Sequence, residues 1–125
     1  MRLQLDTNVF LRIVNGDRRP RNAQRFLDRQ GTELLISIVS GWEIVMKPAL
    51  NLTAADVESS MGMMGATVLP VQFRHMETYS RLPVKAEHRD PFDRMIIAQA
   101  MAEKVAVMTS DRRFEEYAGL RVIWD

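Results

Sequence analysis

Apolar residues along this chain fall into two rhythms. Short, mostly continuous runs of strand length recur at positions 2–5 (RLQL), 33–39 (ELLISIV), 66–71 (ATVLPV), 105–110 (VAVMTS) and 121–124 (RVIW). Continuous rather than alternating hydrophobicity predicts strands buried on both faces, as in a parallel sheet. Between these runs the apolar positions shift to three- and four-residue spacing, as at Val9, Phe10 and Ile13 or at Ile96, Ile97 and Ala100. That spacing places them on one side of a helix.

Punctuation residues set the boundaries. Gly16 and Asp17 end a first helix, and Pro20 opens a second that runs through Arg29 on Phe26 and Leu27 before Gly31 stops it. A helix over SGWEIVMKPALNL (40–52) is expected to be interrupted near Pro48, and Thr53 then caps a Met-rich helix reaching Gly62 or Gly65. QFRHMETYSRL (72–82) predicts a short amphipathic helix, PVKAEHRD (83–90) a polar loop, and DRRFEEYA (111–118) a last short helix. Asp90 ahead of Pro91 is an N-cap followed by proline at the first helical position, which predicts where the longest helix begins. Five strands separated by helices predict a three-layer α/β/α fold around a central parallel sheet of about five strands, because parallel neighbours need crossover connections. There is no repeat or linker, so one domain over residues 1–125 is expected.

Composition narrows the chemistry. With 46% hydrophobic and 26% charged residues the chain is globular rather than disordered. The absence of cysteine excludes disulfides, thiolate metal sites and a cysteine nucleophile, so any metal must be held by oxygen or histidine. No apolar run approaches the roughly 18 residues needed to cross a bilayer, and MRLQLD reaches an acid too early for a secretory leader. No membrane association and a cytoplasmic location are the expectations. Net charge is only +1, yet 14 of the 17 basic residues are arginine, a bias toward bidentate recognition of phosphate or carboxylate.

In open sheets of this kind ligands gather at the carboxyl ends of the strands. Asp6 follows the first strand, Glu43 follows the second and Asp111 follows the fourth, while Asp93 lies in the first turn of the helix feeding the fourth. Each has a structural reading. Asp6 and Asp111 stand where helix N-caps stand, Ser40 and Glu43 have the S-x-x-E spacing of a capping box, and Asp93 is within reach of Arg89 and Arg94. Together they are harder to explain. Two like charges about 4 Å apart repel by about 4 kcal/mol at an effective dielectric near 20, so four such carboxylates need a counter-charge. All-oxygen coordination suits Mg²⁺ or Mn²⁺ rather than Zn²⁺. One or two such ions in a carboxylate cage would activate water and stabilise charge at phosphorus during phosphodiester hydrolysis. Arg89, Arg94, Arg112 and Arg113 are then candidate contacts to a nucleic-acid backbone, or else solvated charges.

LDTN (5–8), SGWEIVMK (40–47), HRDPFDRMIIAQA (88–100) and TSDRRFEEY (109–117) together resemble the PIN-domain ribonucleases, in particular VapC-type toxins of toxin–antitoxin pairs, from Leu5 to Trp124. The resemblance implies a small α/β/α fold and a metal-dependent endoribonuclease that cuts RNA and is blocked by a cognate antitoxin, in a homodimer or a toxin–antitoxin hetero-oligomer. Carried over, the acidic site is Asp6, Glu43, Asp93 and Asp111, with Asp6 and Asp93 as the principal Mg²⁺ (or Mn²⁺) ligands. Thr7, Asn8, Thr109 and Ser110 would support them by hydrogen bonding. Pro48, Ala49 and Leu50 depart from the glycine-containing turn usual after this helix, which bears on the antitoxin groove rather than on the acids. The alternative is a PIN-fold module that binds RNA or protein without cutting. A phosphatase using Asp6 as nucleophile would need a second aspartate where Asn8 stands.

Three features remain. Arg18, Arg21, Arg25 and Arg29 form a basic stripe, for RNA or a partner or simply for water. Met61, Met63, Met64, Met95, Met101 and Met108 read as core filling, with an adaptable partner groove as the alternative. His75 and His88 read as surface residues outside any metal site.

Overall fold

Five parallel strands run through the middle of the computed structural model, which describes residues 1–125. They are β1 (Arg2–Leu5), β2 (Glu33–Ser37), β3 (Thr67–Leu69), β4 (Ala106–Met108) and β5 (Val122–Ile123), in the spatial order β3-β2-β1-β4-β5. Six helices connect them: α1 (Thr7–Val14), α2 (Arg21–Asp28), α3 (Ile38–Val45), α4 (Ala54–Met63), α5 (Phe73–Ser80) and α6 (Pro91–Glu103). The three-layer α/β/α architecture read from the hydrophobic rhythm is the one observed. No helix is long and apolar enough to cross a membrane.

Each sheet face has its own core. On one, Leu3, Leu5, Ile36 and Met108 pack with Phe10 of α1, Ala23 of α2 and Val57 and Met61 of α4. On the other, Val107 packs with Ile96, Ile97 and Ala100 of α6 and with Phe114 and Tyr117. The Met-rich region divides accordingly: Met61 and Met108 fill core space, Met64, Met95 and Met101 pack at its margins, and Met63 is 88% exposed.

Several boundaries differ from the sequence expectation. The run ELLISIV is not one strand, because β2 ends at Ser37, whose hydroxyl accepts a hydrogen bond from Val39 N at 3.1 Å and starts α3 there. A short apolar run has no periodicity with which to separate buried strand from buried helix. Ser40 therefore lies inside α3, and the expected Ser40–Glu43 capping box is replaced by a Ser37 cap. As expected, the chain breaks at Pro48: a 3₁₀ turn at Pro48–Leu50 closes on Asn51, at φ 52°. Thr53 and Asp56 form a reciprocal capping box on α4. The last helix expected is instead a 3₁₀ segment, Arg112–Glu116.

Gln4 carries a cost that can be tested. It sits fully buried on the central strand, and neither end of its amide has a hydrogen-bond partner. A buried unsatisfied amide costs about 1–3 kcal/mol. Gln4→Met, of similar length and without the polar atoms, is expected to raise the thermal midpoint by several degrees in a differential scanning measurement.

The order of strands places the ligand crevice. The chain moves outward from β1 to β2 and β3, then crosses to β4 on the opposite side of β1. The carboxyl ends of β1 and β4 thus flank the point where the direction of winding reverses, and such crevices bind ligands in open α/β sheets.

Candidate metal centre

Asp6 ends β1 at that crevice and is 3% exposed. Its backbone continues the ladder, donating from N to Met108 O at 3.1 Å, and its Oδ1 caps α1 by accepting from Val9 N at 2.8 Å. Thr109 Oγ1, just past β4, donates to Asp6 Oδ2 at 2.5 Å and also accepts from Asp111 N at 3.0 Å. One hydroxyl thereby ties the ends of the two strands together. Burial pushes Asp6 up to about 6 despite these two hydrogen bonds, and the nearby charges of Asp93 and Asp111 push it the same way.

Asp93 comes from the first turn of α6. Asp90 is the cap, its Oδ1 accepting from Phe92 N at 2.8 Å and Asp93 N at 3.2 Å, so the Asp90–Pro91 stop sets the helix start as expected. That start leaves Asp93 facing the crevice. Desolvation raises its pKa, opposed by a hydrogen bond from His88 and reinforced by Asp90 and Glu43. Its partner is neither Arg89 nor Arg94 but His88, whose Nε2 lies 3.1 Å from Asp93 Oδ2.

Glu43 reaches the site from α3, on the same face as Ser40. Ser40 Oγ accepts from Thr7 Oγ1 at 2.8 Å, which packs the first turns of α1 and α3 against each other. Glu43 Oε2 meets Lys47 Nζ at 3.1 Å, while Glu43 Oε1 is buried with no hydrogen-bond partner at all. Asp111 caps the 3₁₀ segment after β4 through Arg113 N at 3.0 Å. The Arg113 guanidinium, 2.7 Å away, holds its carboxyl below the usual range.

The four acids expected from the sequence surround one crevice, the charges of Asp93 and Asp111 reaching Asp6 and that of Glu43 reaching Asp93. Of the expected support residues, Thr109 hydrogen-bonds an acid, Asp6, whereas Thr7 bonds Ser40 instead, Asn8 is exposed and Ser110 makes no side-chain hydrogen bond. Three of the four candidate arginines are engaged by the protein's own groups, although Arg112 and Arg113 remain exposed. Arg94 turns inward to Pro83 O, Leu82 O and Tyr117 Oη, Arg113 clasps Asp111 and Glu87 O, and Arg112 pairs with Asp125 and Glu115.

Both histidines are corrections: neither is on the surface. His75 is fully buried and accepts at Nδ1 from Gln72 N at 3.0 Å, capping α5, while its Nε2 lies 2.9 Å from Glu103. His88 is fully buried beside the acids, with one ligand atom each from His88, Asp93 and Asp111 within 4.8 Å of one another. Only the adjacency of His88 to the DPFD segment hinted at this.

The donor set fits a hard divalent cation. It is mainly carboxylate, it contains no sulfur, and the unpartnered oxygen of Glu43 is the kind of buried acceptor that a cation would satisfy.

Residues 4–120 match the PIN domain family. Among solved structures, the chain is similar to VapBC2 from Rickettsia felis bound to a DNA fragment from its promoter, at TM-score 0.78 and 18% identity, with all of both chains covered. It is also similar to DNA-bound VapBC from Salmonella typhimurium (TM-score 0.69, 23% identity, 98% and 96% covered) and to a toxin–antitoxin complex from Klebsiella pneumoniae (TM-score 0.65, 17% identity, 94% of each). At these identities the likeness concerns the fold. No curated protein matches the sequence significantly.

Proposed function

The chain belongs to the PIN-domain family, and from that premise we propose that it is a Mg²⁺- or Mn²⁺-dependent endoribonuclease acting as the toxin of a VapC-type toxin–antitoxin pair in the cytoplasm. The observation that carries this is the convergence of Asp6, Glu43, Asp93 and Asp111 on the β1–β4 crevice, with one Glu43 oxygen buried and unpaired. Asp6 and Asp93 would hold the ion, with Glu43 and Asp111 completing the site directly or through water. A divalent ion bound there supplies the counter-charge for a developing pentacovalent phosphate and lowers the pKa of a hydrolytic water.

The protein's own contribution is orientation. Thr109 and Val9 N fix both oxygens of Asp6, and Lys47 holds one oxygen of Glu43 while the other stays buried and unpaired. Burial raises Asp6 and Asp93 above the usual carboxylate range, a penalty that a cation held between them would relieve. Backbone phosphates would be met by the exposed guanidinium of Arg89 and by the α2 stripe, where Arg18, Arg21 and Arg29 have no ion-pair partner.

An antitoxin partner is supported by an exposed apolar surface beside the site. Ile38, Trp42, Val45 and Met46 of the α3 segment are 49%, 60%, 41% and 57% exposed, and a groove of about 630 Å³ runs from Trp42 to α4. Monomeric proteins seldom leave such a patch uncovered. It is suited to a partner helix or to a second toxin chain.

Incubating the antitoxin-free chain with total cellular RNA and Mg²⁺, and then sequencing fragment ends, tests the proposal. Attack by water is expected to give discrete cleavage sites without a cyclic end. A 2′,3′-cyclic phosphate would show attack by the RNA's own hydroxyl and remove the water mechanism, and intact RNA throughout would favour a binding module.

A further inference from the structure

We propose that His88 is the positioning residue for Asp93, held in place by Tyr117 and Arg94, so that the strength of the metal centre depends on a chain of buried hydrogen bonds running away from it. The inference rests on the metal-centre reading above and adds the means by which one ligand is aimed.

The direction of the first and last hydrogen bonds follows from the charged group at each. A guanidinium only donates. Arg94 Nη1 donates to Tyr117 Oη at 3.1 Å, and the same Nη1 and Nη2 donate to Pro83 O and Leu82 O at 3.0 and 3.5 Å, which pins the loop carrying His88. The Tyr117 hydroxyl in turn lies 3.0 Å from His88 Nδ1 and holds that side of the ring. At the other end of the ring the Asp93 carboxylate can only accept, so Nε2–H donates to its Oδ2 at 3.1 Å. Asp93 Oδ1 makes no protein hydrogen bond, so it is the oxygen turned to the crevice.

Packing fixes the ring itself. His88 is fully buried, with Phe114 at 5.3 Å and Tyr117 at 5.6 Å between ring centroids, and its backbone N donates to Lys85 O at 3.1 Å. Arg113 adds a further tie, donating to Glu87 O at 2.9 Å while it grips Asp111. The loop 82–88 is thus anchored by two arginines, each of which also touches the acidic site or the residue behind it. A buried, fully partnered imidazole whose only polar outlet is one carboxylate oxygen acts on that carboxylate. Such outer partners of metal ligands typically govern affinity by about 10–100-fold.

The test is Mn²⁺ binding by the full chain, followed through loss of the free-ion EPR signal without any RNA present. His88→Leu is expected to weaken Mn²⁺ affinity by about 10–100-fold, Tyr117→Phe to weaken it less, and His88→Gln, whose amide NH₂ reaches the same carboxylate, to stay near wild type. Circular dichroism in chelator checks that each variant is folded. Rescue by glutamine separates aiming from mere space filling, since a purely structural role would not depend on the N–H. Wild-type affinity in His88→Leu, or equal weakness in His88→Gln and His88→Leu, would overturn the inference. So would a directly bound ¹⁴N coupling in pulsed EPR of the wild-type Mn²⁺ complex, which would make His88 a ligand itself. A wild-type chain that binds no Mn²⁺ would overturn the metal centre and the positioning role together, whereas a chain that binds Mn²⁺ but cuts no RNA would leave His88 in place and remove only the nuclease reading.

Discussion

Asp93→Asn is expected to lower Mg²⁺-supported RNA cleavage by about 10³-fold or more, while the protein stays folded. The size follows from the role: losing a direct carboxylate ligand removes several kcal/mol of charge stabilisation, and each 1.36 kcal/mol is tenfold in rate. The sign follows from the hydrogen bonds. His88 donates to Asp93 Oδ2, so an asparagine there keeps its carbonyl oxygen on His88 and turns its NH₂ toward the crevice. A donor then faces the place where the cation needs an acceptor. Because the His88 bond survives and a raised, half-buried carboxylate is removed, the thermal midpoint in chelator should not fall. Single-turnover cleavage beside a melting curve measures both, and an active Asp93→Asn would remove Asp93 from the site.

Asp6→Asn is expected to stabilise the metal-free protein at pH 7.5 while abolishing its stabilisation by Mg²⁺. Burial raises Asp6 from 3.8 to about 6. Well below pH 3.8 the group is protonated in both folded and unfolded chains and contributes no penalty. Between pH 3.8 and about 6 the unfolded chain gives up this proton while the folded chain still holds it, so stability falls across that window, by on the order of 3 kcal/mol in all, and levels off above it. Asparagine avoids that loss. It still accepts from Val9 N, and its NH₂ can donate to Thr109 Oγ1. The metal-free variant should melt on the order of 5 to 10 °C higher than wild type at pH 7.5 and close to it at pH 4. Added Mg²⁺ should raise the wild-type midpoint mainly above pH 6 and leave the variant unmoved. A variant that melts lower than wild type in chelator would mean that Asp6 carries no such strain.

Much of this site is legible in the sequence because strand ends and helix starts are marked locally. Asp6, Asp111 and the Asp90–Pro91 stop each announce a boundary within a few residues, and a parallel sheet brings those boundaries to one edge. Glu43 lies close enough to act on Asp93, but not through the local pattern that marked it. Its helix starts at Ile38 rather than after Ser40, and Ser40 and Glu43 share an inward face instead of a capping box. The run ISIV carries no periodicity that would reveal this.

What the sequence hides depends on distant partners. His88 looks like a polar loop residue until Tyr117, 29 positions on, and Arg94 close around it. His75 likewise finds Glu103 across 28 positions, within an ion-pair cluster that includes Arg2 and Arg74. Composition suggested that arginines meet substrate, but Arg94, Arg112 and Arg113 are mostly committed to the protein itself. No local pattern distinguishes a guanidinium that grips its own fold from one that waits for phosphate.

The most direct test of the whole account is cleavage of total cellular RNA by the antitoxin-free chain under three conditions: with Mg²⁺, with excess chelator, and with chelator followed by excess Mg²⁺. The expected result is discrete fragments in the first, intact RNA in the second and the same fragments restored in the third. Fragments that persist unchanged in the chelator would contradict a metal-dependent site built from Asp6, Glu43, Asp93 and Asp111.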